Sequence, residues 1–251
     1  MNYKTIALAL ALLIGSASYS FAHDFWTQPS HFTVTAGQPL NVRLYVGHGD
    51  DRDEVPRMAR HLERFEVHGP DGVTQVAGRL NRAPAGRVRL NEPAIYTVLY
   101  QSKHMYTELA AKKFEAYLRE EGLSDVIAER ERRGETRRSG KESYARYNKA
   151  LVRVDGGSAG YDRKLGLPLE ITPLADPFTR RPGQTLAFDV EFDGQPLSGI
   201  TVELVSLTKL DQKYRATTDP RGRVQFQIPH RGAWMVTATH MRRADPDSEI
   251  K

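Results

Sequence analysis

The chain has 251 residues, a formal net charge of +5 and no cysteine. That length suits one large or two small domains, and the lack of cysteine excludes disulfides, thiolate metal sites and cysteine nucleophiles. The positive excess is mild and interspersed with acids, so no nucleic-acid partner is expected.

Residues 1–22 read as a signal peptide. Lys4 is its charged start, Ile6 to Ile14 its apolar run, and Ser20-Phe21-Ala22 places small residues where a signal peptidase reads them. The apolar run is too short to span a bilayer, and no later segment is apolar enough to anchor the mature chain. Cleavage after Ala22 makes His23 the first mature residue, in His23-Asp24-Phe25-Trp26. A free amino-terminal histidine offers its α-amine and imidazole together as a chelating pair.

Phe32 to Gly37 alternates and ends in a turn, and Asn41 to His48 alternates over a longer span. Val42, Leu44 and Val46 share one face there, and the period of two continues that row to His48, between Gly47 and Gly49. Asp50 to Glu54 reads as an acidic loop. Arg64 to Val67 is a further strand, closed by Gly69-Pro70-Asp71-Gly72, and Val73 to Leu80 and Arg87 to Leu90 are shorter candidates. Ile95 to Gln101 is apolar on both sides, as a central strand would be.

The period then changes. Phe114, Tyr117 and Leu118 carry helical spacing up to Gly122, and Ser124 reads as the cap of a second helix that frays into the basic stretch Arg130 to Arg138. Ser139-Gly140-Lys141-Glu142 fits a capping box and predicts a third helix bearing Tyr144, Tyr147 and Leu151. Ala150 to Val154 returns to strand, Gly156 to Gly160 reads as a loop, and Leu186, Phe188, Val190 and Phe192 then alternate and end at the hairpin signal Asp193-Gly194. Ile200 to Leu204, Val224 to Ile228 and Trp234 to His240 follow. In the last, Trp234, Val236 and Ala238 share a row that His240 continues.

The expected architecture is therefore mainly β, with two immunoglobulin-like β-sandwich domains and a helical insertion between them. The boundaries are 23–106 for the first sandwich, 107–150 for the insertion and 151–251 for the second. A seven-stranded sandwich would want a further strand, for which the sequence offers no pattern.

His48 and His240 each end a core-facing row. If both rows end near the mature terminus, they join His23 in a set of three or four nitrogen ligands that suits nickel, copper or zinc. Asp24 and Asp50 are carboxylates that could assist, or simply cap loops. Histidines 31, 61, 68, 104 and 230 lack such a pattern. There is no P-loop, dinucleotide fingerprint, G-x-S-x-G or H-E-x-x-H, and covalent catalysis has no candidate, so no enzyme activity is expected.

Several stretches occur together in order: His23 to Trp26, Val46 to Gly49, Lys113 to Leu123, Lys149 to Val152, Gly166 to Glu170 and Trp234 to Met241. As a set they resemble a family of exported bacterial proteins, carried as a domain of unknown function and described as NikM-like or nickel-transport-associated. That resemblance implies a periplasmic protein near nickel or cobalt uptake, partnered by a transporter component in the envelope, with His23, His48 and His240 as matched positions. Nickel is then the favoured ion. Two other readings stay open from the residues: an adhesion or assembly module with structural histidines, and a copper oxidase with an amino-terminal histidine brace.

Overall fold

The computed structural model describes residues 24–48, 51–209 and 211–244, with His48 and Asp51 as backbone only. The chain is mainly β, with two short α-helices among the described residues.

Strands β1 (Asp24–Pro29), β2 (Thr33–Val34), β3 (Pro39–His48), β4 (Asp51–Val55), β5 (Leu62–Gly69), β6 (Gly72–Gln75), β7 (Gly86–Arg89) and β8 (Ile95–Ser102) come first. Strand β3 organises one sheet: β1 lies along one side of it, and β4 and β7 share the other, all antiparallel. The second sheet runs β2–β11–β8–β5–β6, where β11 is Tyr147–Val154 and only the short β2–β11 pairing is parallel. The alternation of β3 aims Leu40, Val42 and Leu44 at Phe65 and Val67 of β5, Val98 and Tyr100 of β8, and Val152 and Val154 of β11. Each such aliphatic side chain, sealed from water, contributes about 1.5–3 kcal/mol before the entropy of ordering is subtracted. The acidic stretch at Asp51 is a strand rather than the expected loop, because β3 is long enough to template it.

Strands β8 and β11 run on beyond their sheet as β9 (Met105–Leu109) and β10 (Gly140–Tyr144), which pair with each other. Helices α1 (Ala111–Glu120) and α2 (Ser124–Arg132) cap the far end of this ribbon. Phe114, Leu118 and Leu123 are buried there, with Tyr117, Val126, Ile127 and Met241 packed around them. Gly122 turns α1 into α2 with φ of +70°, and a Cβ on it would come within 2.5 Å of Thr201 Oγ1. Handedness and the close approach of the neighbouring sheet both require glycine.

The third helix predicted from Ser139 does not form. The capping-box signature is local, whereas pairing with β9 and β8 is worth more to residues 140–154 than helix propensity. Ser139 Oγ instead donates to Glu108 Oε1 at 2.6 Å. Gly140 lies so close to Phe114 that a Cβ would meet its ring at 2.3 Å. Ser124 is also not a cap: Leu123 holds that position, and no side chain caps α2. Nor is Arg130 part of a solvated basic end. It is buried, donates to Glu115 Oε1 and to the carbonyls of Glu135 and Arg138 (2.8 Å each), and lies over the Phe114 ring.

The remaining strands are β12 (Leu169–Pro173), β13 (Thr185–Phe192), β14 (Gln195–Pro196), β15 (Thr201–Ser206), β16 (Lys213–Thr217), β17 (Arg223–Gln227) and β18 (Trp234–Ala238). One sheet joins β12, β13, β14 and β17, and the other runs β16–β15–β18. They close over Leu186, Phe188, Val190, Val202, Leu204, Val224 and Phe226. The sequence pattern named no strand at β12, β14 or β16. The β13–β14 hairpin turns at Asp193-Gly194, both with positive φ, as that dipeptide predicts.

The two halves meet through Trp26 and Tyr45 on one side and Val205, Leu207 and Met235 on the other. A buried ion pair crosses beside this contact. Lys149 Nζ on β11 reaches Glu170 Oε1 on β12 at 2.8 Å and Thr172 Oγ1 at 3.1 Å. Since β11 belongs to the first pair of sheets, the helices at residues 111–132 interrupt the chain of that first half. Among the described residues no helix is long and apolar enough to cross a membrane.

Candidate functional site

Asp24 opens β1 directly opposite Gly47, so the start of the described chain lies beside the residue that precedes His48. That ladder is held by the packing of its own side chains: Trp26 stacks on Tyr45 at 5.5 Å, and Phe25 packs on Tyr100 at 5.2 Å. The aromatic residues of the amino-terminal motif are thus structural anchors, and they fix the position of Asp24.

Four other elements bring charge to this place. From β15 and β16, Glu203 and Lys213 approach, with Lys213 Nζ at 3.4 Å from both Asp24 Oδ2 and Glu203 Oε2. Burial works against the Lys213 ammonium, but the two carboxylates outweigh it and hold its pKa above the usual value. From the end of α1, Glu121 accepts a 2.5 Å hydrogen bond from Thr239 Oγ1. Burial pushes the Glu121 carboxyl up; the Thr239 bond opposes this, while Asp24, Glu203 and Glu120 add to it. From β10, Glu142 faces the same region. Burial and then the charge of Glu121 raise its carboxyl to about 7. Tyr117, Tyr144 and Arg146 line the neighbouring wall, and burial depresses the Arg146 guanidinium pKa. The result is a half-buried gathering of carboxylates at the head of β1, in which Lys213 pairs with Asp24 and Glu203 and Arg215 pairs with Glu203.

The three histidines singled out by sequence are placed as follows. His23 lies outside the described residues, as do Gly49 and Asp50. The His48 backbone ends β3, paired with Asp51. His240 follows β18, half-buried, with its ring 4.5 Å from that of Phe192. Burial lowers its pKa, Arg242 lowers it further and Asp193 opposes, so the imidazole is neutral at neutral pH and able to act as a ligand. Its chain neighbours Thr239 and Met241 point elsewhere, to Glu121 and to the helical cap. Among the described residues no group of three or more His, Asp or Glu is close enough to hold a metal ion on its own.

Of the other histidines, His68 contacts Glu66 Oε2 at 3.1 Å, His104 contacts Ser143 Oγ at 3.0 Å, and His230 contacts the Arg231 carbonyl and Gln212 Oε1. Sequence reasoning missed Glu121, Glu142 and Glu203. Glu121 lies in a charged run and Glu203 is the outward residue of an alternating strand, so only the β9–β10 ribbon and the approach of the end of α1 to β15 bring them together.

With this geometry in place, comparison with known families is informative. Residues 20–242 match the family described as "Domain of unknown function (DUF4198)", and the chain belongs to that family. A search of the curated proteins finds no match.

Proposed function

We propose that this member of the DUF4198 family is an exported, periplasmic protein that binds a divalent metal ion as cargo. In this reading it is the NikM-like, nickel-transport-associated protein that its motifs resemble. It serves nickel or cobalt uptake and passes its ion to a transporter component in the envelope. Residues 1–22 are its signal peptide, and each pair of sheets is an immunoglobulin-like sandwich.

The observation that carries the proposal is the β1–β3 register. Its last described pair is Asp24↔Gly47, which brings the start of the described chain beside the residue that precedes His48. An amino-terminal amine and two imidazoles would then meet at the edge of the carboxylate group of Asp24, Glu121, Glu142 and Glu203. The donor chemistry fits: nitrogen ligands with nearby oxygen suit nickel, copper or zinc, and a cation would relieve carboxyls that burial and mutual repulsion now hold up. His240 supplies the third imidazole if its ring turns from Phe192.

Native mass spectrometry of the chain beginning at His23, titrated with nickel, copper and zinc in turn, tests this. The expected result is one ion per chain, with nickel retained, and loss of that species in His48→Ala. Binding that survives in His48→Ala at wild-type strength would overturn the proposal.

A further inference from the structure

A cleft of about 560 Å³ lies between the two halves, away from the carboxylate group. Its walls are apolar and aromatic: Phe25, Trp26 and Phe32 from the first half face Leu169, Phe178 and Trp234 from the second. Its charge is one-sided. Lys149, Arg180 and Arg231 line it, His230 joins them, and no aspartate or glutamate does. Lys149 is already committed to Glu170, but the Arg180 guanidinium makes no hydrogen bond or ion pair among the described residues, and its Nε is sealed from solvent without a partner. Thr27, also on the cleft wall and 6% exposed, has a hydroxyl with no partner. An unpaired buried guanidinium nitrogen and an unpaired buried hydroxyl are each costly, so a fold that keeps both beside an apolar cleft has a use for them. A volume of this size at an interface between two halves, with apolar walls and a few convergent polar groups, is the usual form of a small-molecule site.

We propose that this cleft binds an amphipathic organic anion: a carboxylate with a long apolar body, its head on Arg180 and its body between Trp26 and Trp234. The anionic head is argued from the absence of any acid in the lining, and the apolar body from the walls. The site uses none of the metal-ligand candidates and stands or falls apart from the metal proposal.

Both tryptophans of the chain line the cleft, so intrinsic fluorescence reports on it directly. Dodecanoate, dodecanol and dodecyltrimethylammonium are titrated below their micellar concentrations into the full mature chain. The expected result is a saturable change with dodecanoate at one per chain, and binding at least tenfold weaker for the ammonium compound. Arg180→Gln is expected to weaken dodecanoate about tenfold, the loss of one charge-assisted contact, and to leave dodecanol unchanged. Where that variant fails to fold, as judged by circular dichroism, the three probes on the wild-type chain decide the matter. Equal binding of anion and cation, no saturable response to dodecanoate, or a folded Arg180→Gln that binds dodecanoate as well as wild type would each overturn the proposal.

Discussion

Two glutamates near the junction of the halves have met opposite fates. Glu170 is buried, and burial alone would push its carboxyl up. Lys149 at 2.8 Å and the amides of Leu165 and Leu167 reverse that and hold it ionised, below the usual range. Glu142 is less deeply buried, faces the like charge of Glu121, and titrates near 7. The first is a finished structural joint in which every charge has its partner. The second belongs to a group whose electrostatics are satisfied by a proton or by an added cation. Carboxylates that serve the fold and carboxylates left ready for a ligand are separated here by their partners rather than by their burial.

The largest way to break this contrast is to remove the cation from the finished joint. Lys149→Met leaves Glu170 buried and unpaired, and is expected to cost about 3–5 kcal/mol in urea denaturation. Adding Glu170→Gln to it should recover much of that loss, because the uncompensated charge is then gone. Arg130→Met is expected to cost about 3–5 kcal/mol or slightly less, since it leaves Glu115 with only the 4.0 Å contact to Arg119 and also frees the Glu135 and Arg138 carbonyls.

Glu142 should behave in the opposite sense. Its native carboxyl titrates near 7 against a usual 4.5, so the folded chain binds more protons than the unfolded one across that window. Stability should therefore fall as pH rises from about 4.5 to 7, and Glu142→Gln should remove that part of the decline. Discounting for its partial exposure, the variant should gain about 1–2 kcal/mol at pH 8 and nothing at pH 4, as read from thermal or urea unfolding at the two pH values. A Glu142→Gln that destabilises at pH 8 would mean the residue is paired after all. The smallest effect expected is at Thr27, where Thr27→Val removes an unpartnered buried hydroxyl at nearly constant shape. It should change stability by less than about 1 kcal/mol, in the stabilising direction.

Much of the strand framework was legible in the sequence because one face of each strand is dry. Leu40 to Leu44, Leu186 to Val190 and Val224 to Ile228 alternate in the structure as they do on paper. What was not legible depended on partners far away in sequence. Gly140 to Tyr147 carries a helix-start signature, yet β8 and β9 recruit it into a ribbon. Strand β16 has no apolar alternation of its own and forms because β15 offers an edge. The histidine rows gave His48 a position in the ladder beside Asp24 but could not show the ring of His240 resting on Phe192. The acidic neighbourhood had no sequence signal at all, since Asp24, Glu121, Glu142 and Glu203 come from four separate elements.

In the proposed function, the acid-rich region at the head of β1 is completed by the amino terminus of the chain that begins at His23 and by a metal ion. This is tested most directly by calorimetric titration of nickel into the chain that begins at His23 and into the same chain extended by one residue before His23. The account predicts one nickel bound to the first form, at least about tenfold weaker binding to the second, and weakening of the first as pH falls through about 6.5. Equal affinity for the two forms would contradict it.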